Sequence, residues 1–187
     1  MEPGRRMKAS QFEQLPLRGG EIVFLGDSIT EGGAWTEWYP GRPVINRGIG
    51  GDTTDGLLAR IDTAVQDPSQ VFLMIGTNDL ALRRRPEDTS ANAERIVRAI
   101  RSRAPEAALF VNSVLPRRPK YRARIEALNR RWDELASRHR ATYLDLWPAF
   151  SDGRGALRSE FTLDGLHLNG DGYRTWVDLL RPHIAQR

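Results

Sequence analysis

The 187-residue sequence contains no cysteine. Disulfide bonds and thiolate metal sites are therefore excluded, while the redox state of the compartment stays open. No stretch approaches the roughly 18 consecutive apolar residues that a membrane-spanning helix needs. The first 20 residues carry two adjacent arginines without an apolar segment after them, which argues against a secretory signal. We therefore expect no membrane span, and we predict a cytoplasmic location.

Lysine is also scarce. Lys8 and Lys120 are the only lysines among 28 basic residues, so the formal charge of +4 is due almost entirely to arginine. A basic balance raises the question of nucleic-acid binding. The arginines are spread along the chain, however, and form no stripe interleaved with aromatic residues. We predict an arginine-rich solvated surface and no nucleic-acid partner.

Short apolar runs alternate with amphipathic stretches along the whole chain. Strand-like runs occupy 21–26, 43–47, 71–76, 107–115 and 141–147. Several are continuously apolar, as in strands covered on both faces. Helical spacing occupies 53–65, 87–103, 121–140 and 170–184, and 29–40 fits a short helix or a loop. This alternation predicts a parallel sheet with helices on both faces, in one domain over 1–187 whose first 20 residues are a peripheral lead-in.

Four unusual polar clusters follow predicted strands. Ligands of open α/β sheets bind outside the carboxyl ends of the strands, so these clusters should meet at one edge of the sheet. The clusters are Gly-Asp-Ser at 26–28, Gly-Ile-Gly-Gly-Asp at 48–52, Gly-Thr-Asn-Asp at 76–79 and Asp-Gly-Leu-His at 164–167.

The clusters contain the groups that acyl transfer needs. Ser28 can supply a nucleophilic hydroxyl. Of the three histidines only His167 lies at this edge, whereas His139 and His183 lie near predicted helix ends, His139 on the surface. Asp164 precedes His167 by three residues, so both side chains can leave one turn on the same side. Asp164 could then orient the imidazole that acts as base.

Donors for a developing oxyanion are present as well. Gly50 and Gly51 can bring backbone N–H groups close, because glycine has no Cβ and tolerates positive φ. Asn78 offers a side-chain amide, and the Ser28 N–H would lie at a helix start.

Each of these residues also has a purely structural interpretation. Ser28 could cap a helix, and the glycines, Asn78 and Asp164 could simply form turns. Asp27 and Asp52 are interpreted as residues that cap the backbone. The placement of all four clusters at one edge favours the catalytic interpretation for the others, because four unrelated turns seldom supply a complete set.

The blocks "GDSIT", "NRGIGGDTT", "GTND" and "DGLH" resemble those of the GDSL-type, or SGNH, hydrolases, and the likeness runs from about 21 to 184. The second block and "LHLNGDGY" further resemble the catalytic subunits of platelet-activating factor acetylhydrolase and related bacterial esterases. The resemblance implies a three-layer α/β/α sandwich of flavodoxin type with a five-stranded parallel sheet.

The same resemblance implies roles for individual residues. Ser28 would be the nucleophile, His167 the base and Asp164 its orienting partner. The oxyanion hole would consist of the N–H groups of Ser28 and Gly51 and the side chain of Asn78. Gly51 is preferred to Gly50 because the donor of the family is the glycine directly before the aspartate. A serine mechanism needs no cofactor or metal, and none is expected.

The activity implied is hydrolysis of a small-molecule ester, an acetylated sugar, lipid or similar compound, through an acyl-enzyme. The chain has no large insertion for a lid, which favours short acyl groups. A lysophospholipase, a thioesterase or an acyltransferase would use the same triad, and a binding module without chemistry is less favoured because the triad is intact. The family includes monomers and dimers, so either state fits.

The roles of two groups of side chains near the predicted site stay open. Trp35, Trp38 and Tyr39 could line an acyl or sugar pocket or pack in the core. The arginines of 83–85 and 117–118 could surround the pocket and favour anionic substrates. We prefer the interpretation of a solvated rim for these arginines.

Overall fold

The computed structural model describes residues 3–184, and within them the chain forms a five-stranded parallel sheet. Residues 1–2 and 185–187 of the predicted domain lie outside this description. The spatial order is β2-β1-β3-β4-β5, which is the flavodoxin order. The predicted fold class is therefore confirmed. The strands are β1 (Ile22–Gly26), β2 (Val44–Gly48), β3 (Gln70–Met74), β4 (Ala108–Asn112) and β5 (Thr142–Leu144).

Helices cover both faces of this sheet. Helices α4, α5, α7 and α8 pack on one face, and α2, α3, α9 and α10 on the other. The helices are α1 (Pro3–Gln14), α2 (Ser28–Glu31), α3 (Trp35–Trp38), α4 (Thr54–Leu58), α5 (Ile61–Ala64), α6 (Thr77–Ala81), α7 (Pro86–Arg103), α8 (Arg122–Arg138), α9 (Trp147–Phe150) and α10 (Gly170–Leu180). Short 3₁₀ turns occupy Pro119–Tyr121, Ser159–Phe161 and Arg181–His183. No helix within residues 3–184 is long and apolar enough to cross a membrane.

The central strands are mainly apolar because both of their faces are covered. Every residue of β1 and β3 is buried. Alternate side chains point to opposite faces, so Val23 and Leu25 join the core under α7 and α8. Phe24 points the other way and stacks on Phe72, with ring centroids 5.1 Å apart.

Several element boundaries differ from the sequence prediction. The helix predicted over 53–65 is interrupted, since Arg60 lies between α4 and α5 with its side chain buried. The strands predicted over 107–115 and 141–147 are shorter. The second ends at Leu144, and α9 begins at Trp147 with Pro148 in its first turn. The segment 29–40 contains two short helices, α2 and α3.

The aromatic residues that could have lined an acyl or sugar pocket belong mainly to the core. Trp35 is 1% exposed and stacks on Phe24 at 3.9 Å between centroids. Tyr39 is buried, and its hydroxyl donates to the Val177 carbonyl. Trp38 is half-buried on the outside of the same layer. The core interpretation therefore holds for Trp35 and Tyr39.

Candidate active site

Ser28 lies at the start of α2, immediately after β1. Asp27 caps this helix, because its Oδ1 accepts the Ile29 N–H at 3.0 Å. The turn is tight: a Cβ at Gly26 would lie 2.3 Å from both the Met74 carbonyl oxygen and Thr30 Oγ1. Only glycine fits there, so the strand can end and present Ser28 at the carboxyl edge of the sheet.

His167 and Asp164 reach Ser28 from the loop before α10. Ser28 Oγ lies 3.0 Å from His167 Nε2, and His167 Nδ1 lies 2.7 Å from Asp164 Oδ2. The other oxygen, Asp164 Oδ1, accepts the N–H groups of Leu166 and His167 at 2.9 and 2.8 Å. These bonds from His167 hold the pKa of Asp164 well below its usual range. The structure therefore brings the three residues together in the order that the sequence analysis predicts.

This cluster is open to solvent. The side chain of His167 is 48% exposed and that of Asp164 is 53% exposed. An ester could therefore approach Ser28 Oγ directly from the edge of the sheet.

The loop that carries two of the predicted oxyanion donors passes beside Ser28 at Gly50. Gly50 comes close to it, since a Cβ at Gly50 would lie 3.8 Å from Ser28 Cβ. The Gly50 N–H donates to Glu31 Oε2 at 2.7 Å. Within residues 3–184 the N–H groups of Gly51 and Ser28 have no hydrogen-bond partner. Gly51 adopts φ +75°, which favours glycine. Of the two adjacent glycines, Gly51, which the family resemblance prefers, is therefore the one whose N–H is free in the described residues.

Asn78 follows β3 and reaches the same loop. Its side-chain amide donates to the Asp52 carbonyl at 2.8 Å. An amide nitrogen carries two hydrogens, so one remains for a second acceptor. Asn78 therefore combines a structural bond with an available donor.

The interpretation of Asp52 as a backbone cap is wrong. Its carboxylate pairs with Arg60 at 2.7 Å, and both side chains are almost fully buried. Arg60 Nη2 also donates to the Gly26 carbonyl at 3.0 Å. Burial raises the pKa of Asp52, and the Arg60 charge opposes that shift. The sequence carries no signal for the role of Arg60, because its surroundings predict an ordinary exposed helix position.

Two more carboxyls are buried below the site. Burial raises the pKa of Asp27 to about 7, and the charges of Asp52 and Asp79 act in the same direction. Burial raises the pKa of Asp79 too, although Thr54 donates to it through both its N–H and its hydroxyl. The interpretation of Asp27 as a capping residue is confirmed.

The arginines that could surround a pocket are partly engaged elsewhere. Arg84 forms an ion pair with Asp55. Arg117 is half-buried, and its Nη1 donates to the Thr77 carbonyl at 2.9 Å. Arg118 is exposed, and its Cγ lies 3.7 Å from the Cβ position of Gly165, in the loop that carries His167. Arg118 is therefore both exposed and next to the candidate site.

The other two histidines lie apart from this cluster. His139 is not simply a surface residue, because it is partly buried with Nε2 at 2.6 Å from Glu94 Oε1. The ring of His183 lies 5.4 Å from that of Phe110. Within residues 3–184 no group of three or more His, Asp or Glu side chains could hold a metal ion, and the absence of a cofactor stays a prediction.

A flavodoxin-type sheet that carries Ser, His and Asp in hydrogen-bond contact at its carboxyl edge has the architecture of a serine hydrolase. The model of the GDSL-like lipase/acylhydrolase family matches residues 24–175. The chain belongs to this family. The prediction of a carboxylic ester hydrolase is thereby confirmed at the level of enzyme class.

Individual relatives agree with this assignment. The chain is 31% identical over 165 residues to platelet-activating factor acetylhydrolase IB subunit alpha1 of Bos taurus, covering 82% of this chain and 70% of the relative. A Streptococcus pneumonia structure, provisionally described as a platelet activating factor, superimposes with a TM-score of 0.91 at 27% identity, covering 97% and 93% of the two chains. A GDSL-like lipase from Bacteroides thetaiotaomicron gives a TM-score of 0.82 at 26% identity, with 96% of each chain covered.

Proposed function

We propose that this chain hydrolyses short-chain carboxylic esters, acetyl esters in particular, through an acyl-enzyme on Ser28. The observation that carries the proposal is the continuous set of contacts from Ser28 Oγ to His167 Nε2 at 3.0 Å and from His167 Nδ1 to Asp164 Oδ2 at 2.7 Å. With its proton on Nδ1, the imidazole has a free lone pair on Nε2 that can accept the serine proton.

In the first half-reaction, His167 takes the hydroxyl proton while Ser28 Oγ attacks the ester carbonyl carbon. Asp164 fixes the tautomer and stabilises the imidazolium that forms. The imidazolium then returns the proton to the leaving alcohol as the carbon–oxygen bond breaks. The products of this half are the free alcohol and an ester on Ser28.

In the second half-reaction, His167 takes a proton from water and the resulting oxygen nucleophile attacks the acyl carbon. Collapse of the tetrahedral intermediate releases the carboxylic acid and returns the proton to Ser28 Oγ. In both halves a negative charge develops on the former carbonyl oxygen. We assign its stabilisation to the N–H groups of Ser28 and Gly51 and to the Asn78 amide.

Two observations support a short acyl group. Trp35 and Tyr39, which could have lined an acyl pocket, are packed in the core. The mammalian relative at 31% identity is named as an acetylhydrolase. An acyltransferase would use the same acyl-enzyme with an alcohol in place of water, and the exposed site would admit either acceptor.

The test is hydrolysis of p-nitrophenyl esters from acetate to decanoate by the wild type and by Ser28→Ala. Ser137→Ala is a matched control, because Ser137 is exposed on α8. We expect Ser28→Ala to lose roughly 10⁴-fold or more in kcat, the control to match the wild type, and the rate to fall with chain length. Transfer to an added alcohol that is faster than hydrolysis in water would instead identify a transferase. Equal rates for folded wild type and Ser28→Ala would refute the proposal.

A further inference from the structure

The N-terminal helix α1 lies against the loop that carries the proposed oxyanion donors. We call residues 49–52 the donor loop. The family match begins at residue 24, so α1 lies outside it. Arg5, Lys8 and Phe12 have the i, i+3, i+7 spacing that puts side chains on one helix face. Phe12 is buried, and the Arg47 guanidinium lies 4.5 Å from its ring centroid. This face of α1 therefore points into the molecule.

Arg5 contacts the donor loop directly. Its Nη1 donates to the Gly51 carbonyl at 2.5 Å. Arg5 takes part in no ion pair within residues 3–184, so the carbonyl is a principal partner of its charge. A hydrogen bond from a charged donor is stronger than one from a neutral group.

Lys8 pairs with Glu31, which in turn accepts a hydrogen bond from the same loop. Its Nζ lies 3.6 Å from Glu31 Oε1, and Glu31 Oε2 accepts the Gly50 N–H. The peptide group that carries the Gly51 N–H lies between these two anchored groups. The peptide group before it is held through the Gly50 N–H, and the peptide group after it is held through the Gly51 carbonyl. The direction of the Gly51 N–H is therefore determined from both sides.

We infer that Arg5 is a positioning residue for the Gly51 N–H, so that a helix outside the family match completes the oxyanion hole. The inference rests on the proposed function. Without Arg5, the Gly51 carbonyl would face water and the glycine could sample other backbone angles. An oxyanion hole is effective because its donors are aimed before the reaction, and a mobile donor loses part of that advantage.

The competing explanation is that Arg5 only docks α1 onto the domain. Three variants distinguish the two roles. Arg5→Met removes the donors but keeps an apolar stem, and Arg5→Lys keeps a charge and a donor. Arg6→Met is the matched control, since Arg6 is exposed on the same helix and its side chain forms no ion pair or hydrogen bond within residues 3–184.

For each variant we would measure kcat and KM on p-nitrophenyl acetate, the melting temperature, and the inhibition constant of a trifluoromethyl ketone, which forms a tetrahedral adduct with a catalytic serine. We expect Arg5→Met to lower kcat about tenfold and to weaken the inhibitor by a similar factor, with KM nearly unchanged. Arg5→Lys should recover part of the loss, and Arg6→Met should match the wild type.

Two results would overturn this inference and leave the proposed function intact. One is a kcat and inhibitor affinity for Arg5→Met equal to those of Arg6→Met. The other is a lower melting temperature for Arg5→Met with unchanged kcat, because Arg5 would then only anchor the helix. If the wild type itself shows no hydrolysis that depends on Ser28, the proposed function fails and this inference fails with it.

Discussion

Replacing Asp27 with asparagine tests the electrostatics of the buried layer below the candidate site. The Asp27 side chain is 1% exposed, and its Oδ1 accepts the Ile29 N–H. Its Oδ2 has no hydrogen-bond partner within residues 3–184. Asparagine keeps the acceptor and caps helices as well as aspartate does, but it cannot ionise. The substitution therefore removes a charge and largely keeps the shape.

The expected effect follows from the pKa of Asp27, which burial raises from its ordinary value of 3.8 to about 7. Between these two values the folded protein keeps a proton that the unfolded chain has lost. Stability must then fall as the pH rises through this window, and the loss is complete above about pH 7. At about 1.4 kcal/mol per pH unit, the full loss is about 4 kcal/mol.

Urea denaturation between about pH 4 and about pH 8 would measure this effect. We expect the stability of Asp27→Asn relative to the wild type to increase by several kcal/mol over that range. Asp133→Asn is the control, because it removes a carboxyl that is exposed on α8. A stability difference between the wild type and Asp27→Asn that stays constant with pH would refute the reasoning.

Three substitutions test the proposed chemistry. Asn78→Ala should lower kcat by a factor of about 10²–10³. The lost hydrogen bond to the Asp52 carbonyl should lower the free energy of unfolding, measured by urea denaturation, by only about 1 kcal/mol. A loss of stability with normal kcat would assign Asn78 a structural role alone. Gly51→Ala should lower kcat and cost about 1–2 kcal/mol of stability. The cost in stability comes from the backbone angle φ of +75°, because no atom lies within 3.6 Å of the added Cβ. An unchanged kcat would argue against Gly51 as a donor. Asp164→Asn should lower kcat by roughly 10³–10⁴, because an amide can hold the wrong imidazole tautomer; a full rate at every pH would exclude an orienting role.

The fold could be predicted because its signals are local. Most strands of the sheet are short apolar runs, and the rules for parallel sheets place the ends of such strands at one edge. The same reasoning predicts that Ser28, Asn78 and His167 meet. The break between α4 and α5 could not be predicted in this way. It depends on the hydrogen bonds that Arg60 donates to the Asp52 carboxylate and the Gly26 carbonyl, and helical periodicity contains no information about such contacts.

Other features of the site depend on contacts between distant segments. The side-chain chemistry of Gly50 and Gly51 is the same, so the sequence separates them only through the family resemblance. In the structure Glu31 makes them different by engaging only the Gly50 N–H. Trp35 could have faced a pocket or the core, and its stacking on Phe24 decides for the core. The first 20 residues show no motif, yet α1 brings Arg5 to the Gly51 carbonyl.

The sequence by itself determined the order of strands and helices, the edge where the polar clusters meet, and the residues able to act as nucleophile, base and donor. These properties follow from periodicity and from side-chain chemistry, which each segment carries independently of the others. Only the tertiary structure decided which N–H groups stay free, which carboxyls are buried and which arginines are engaged. Those properties depend on which neighbours each group acquires when the chain folds, and a hydrogen bond or a desolvated charge exists only between groups that folding brings together.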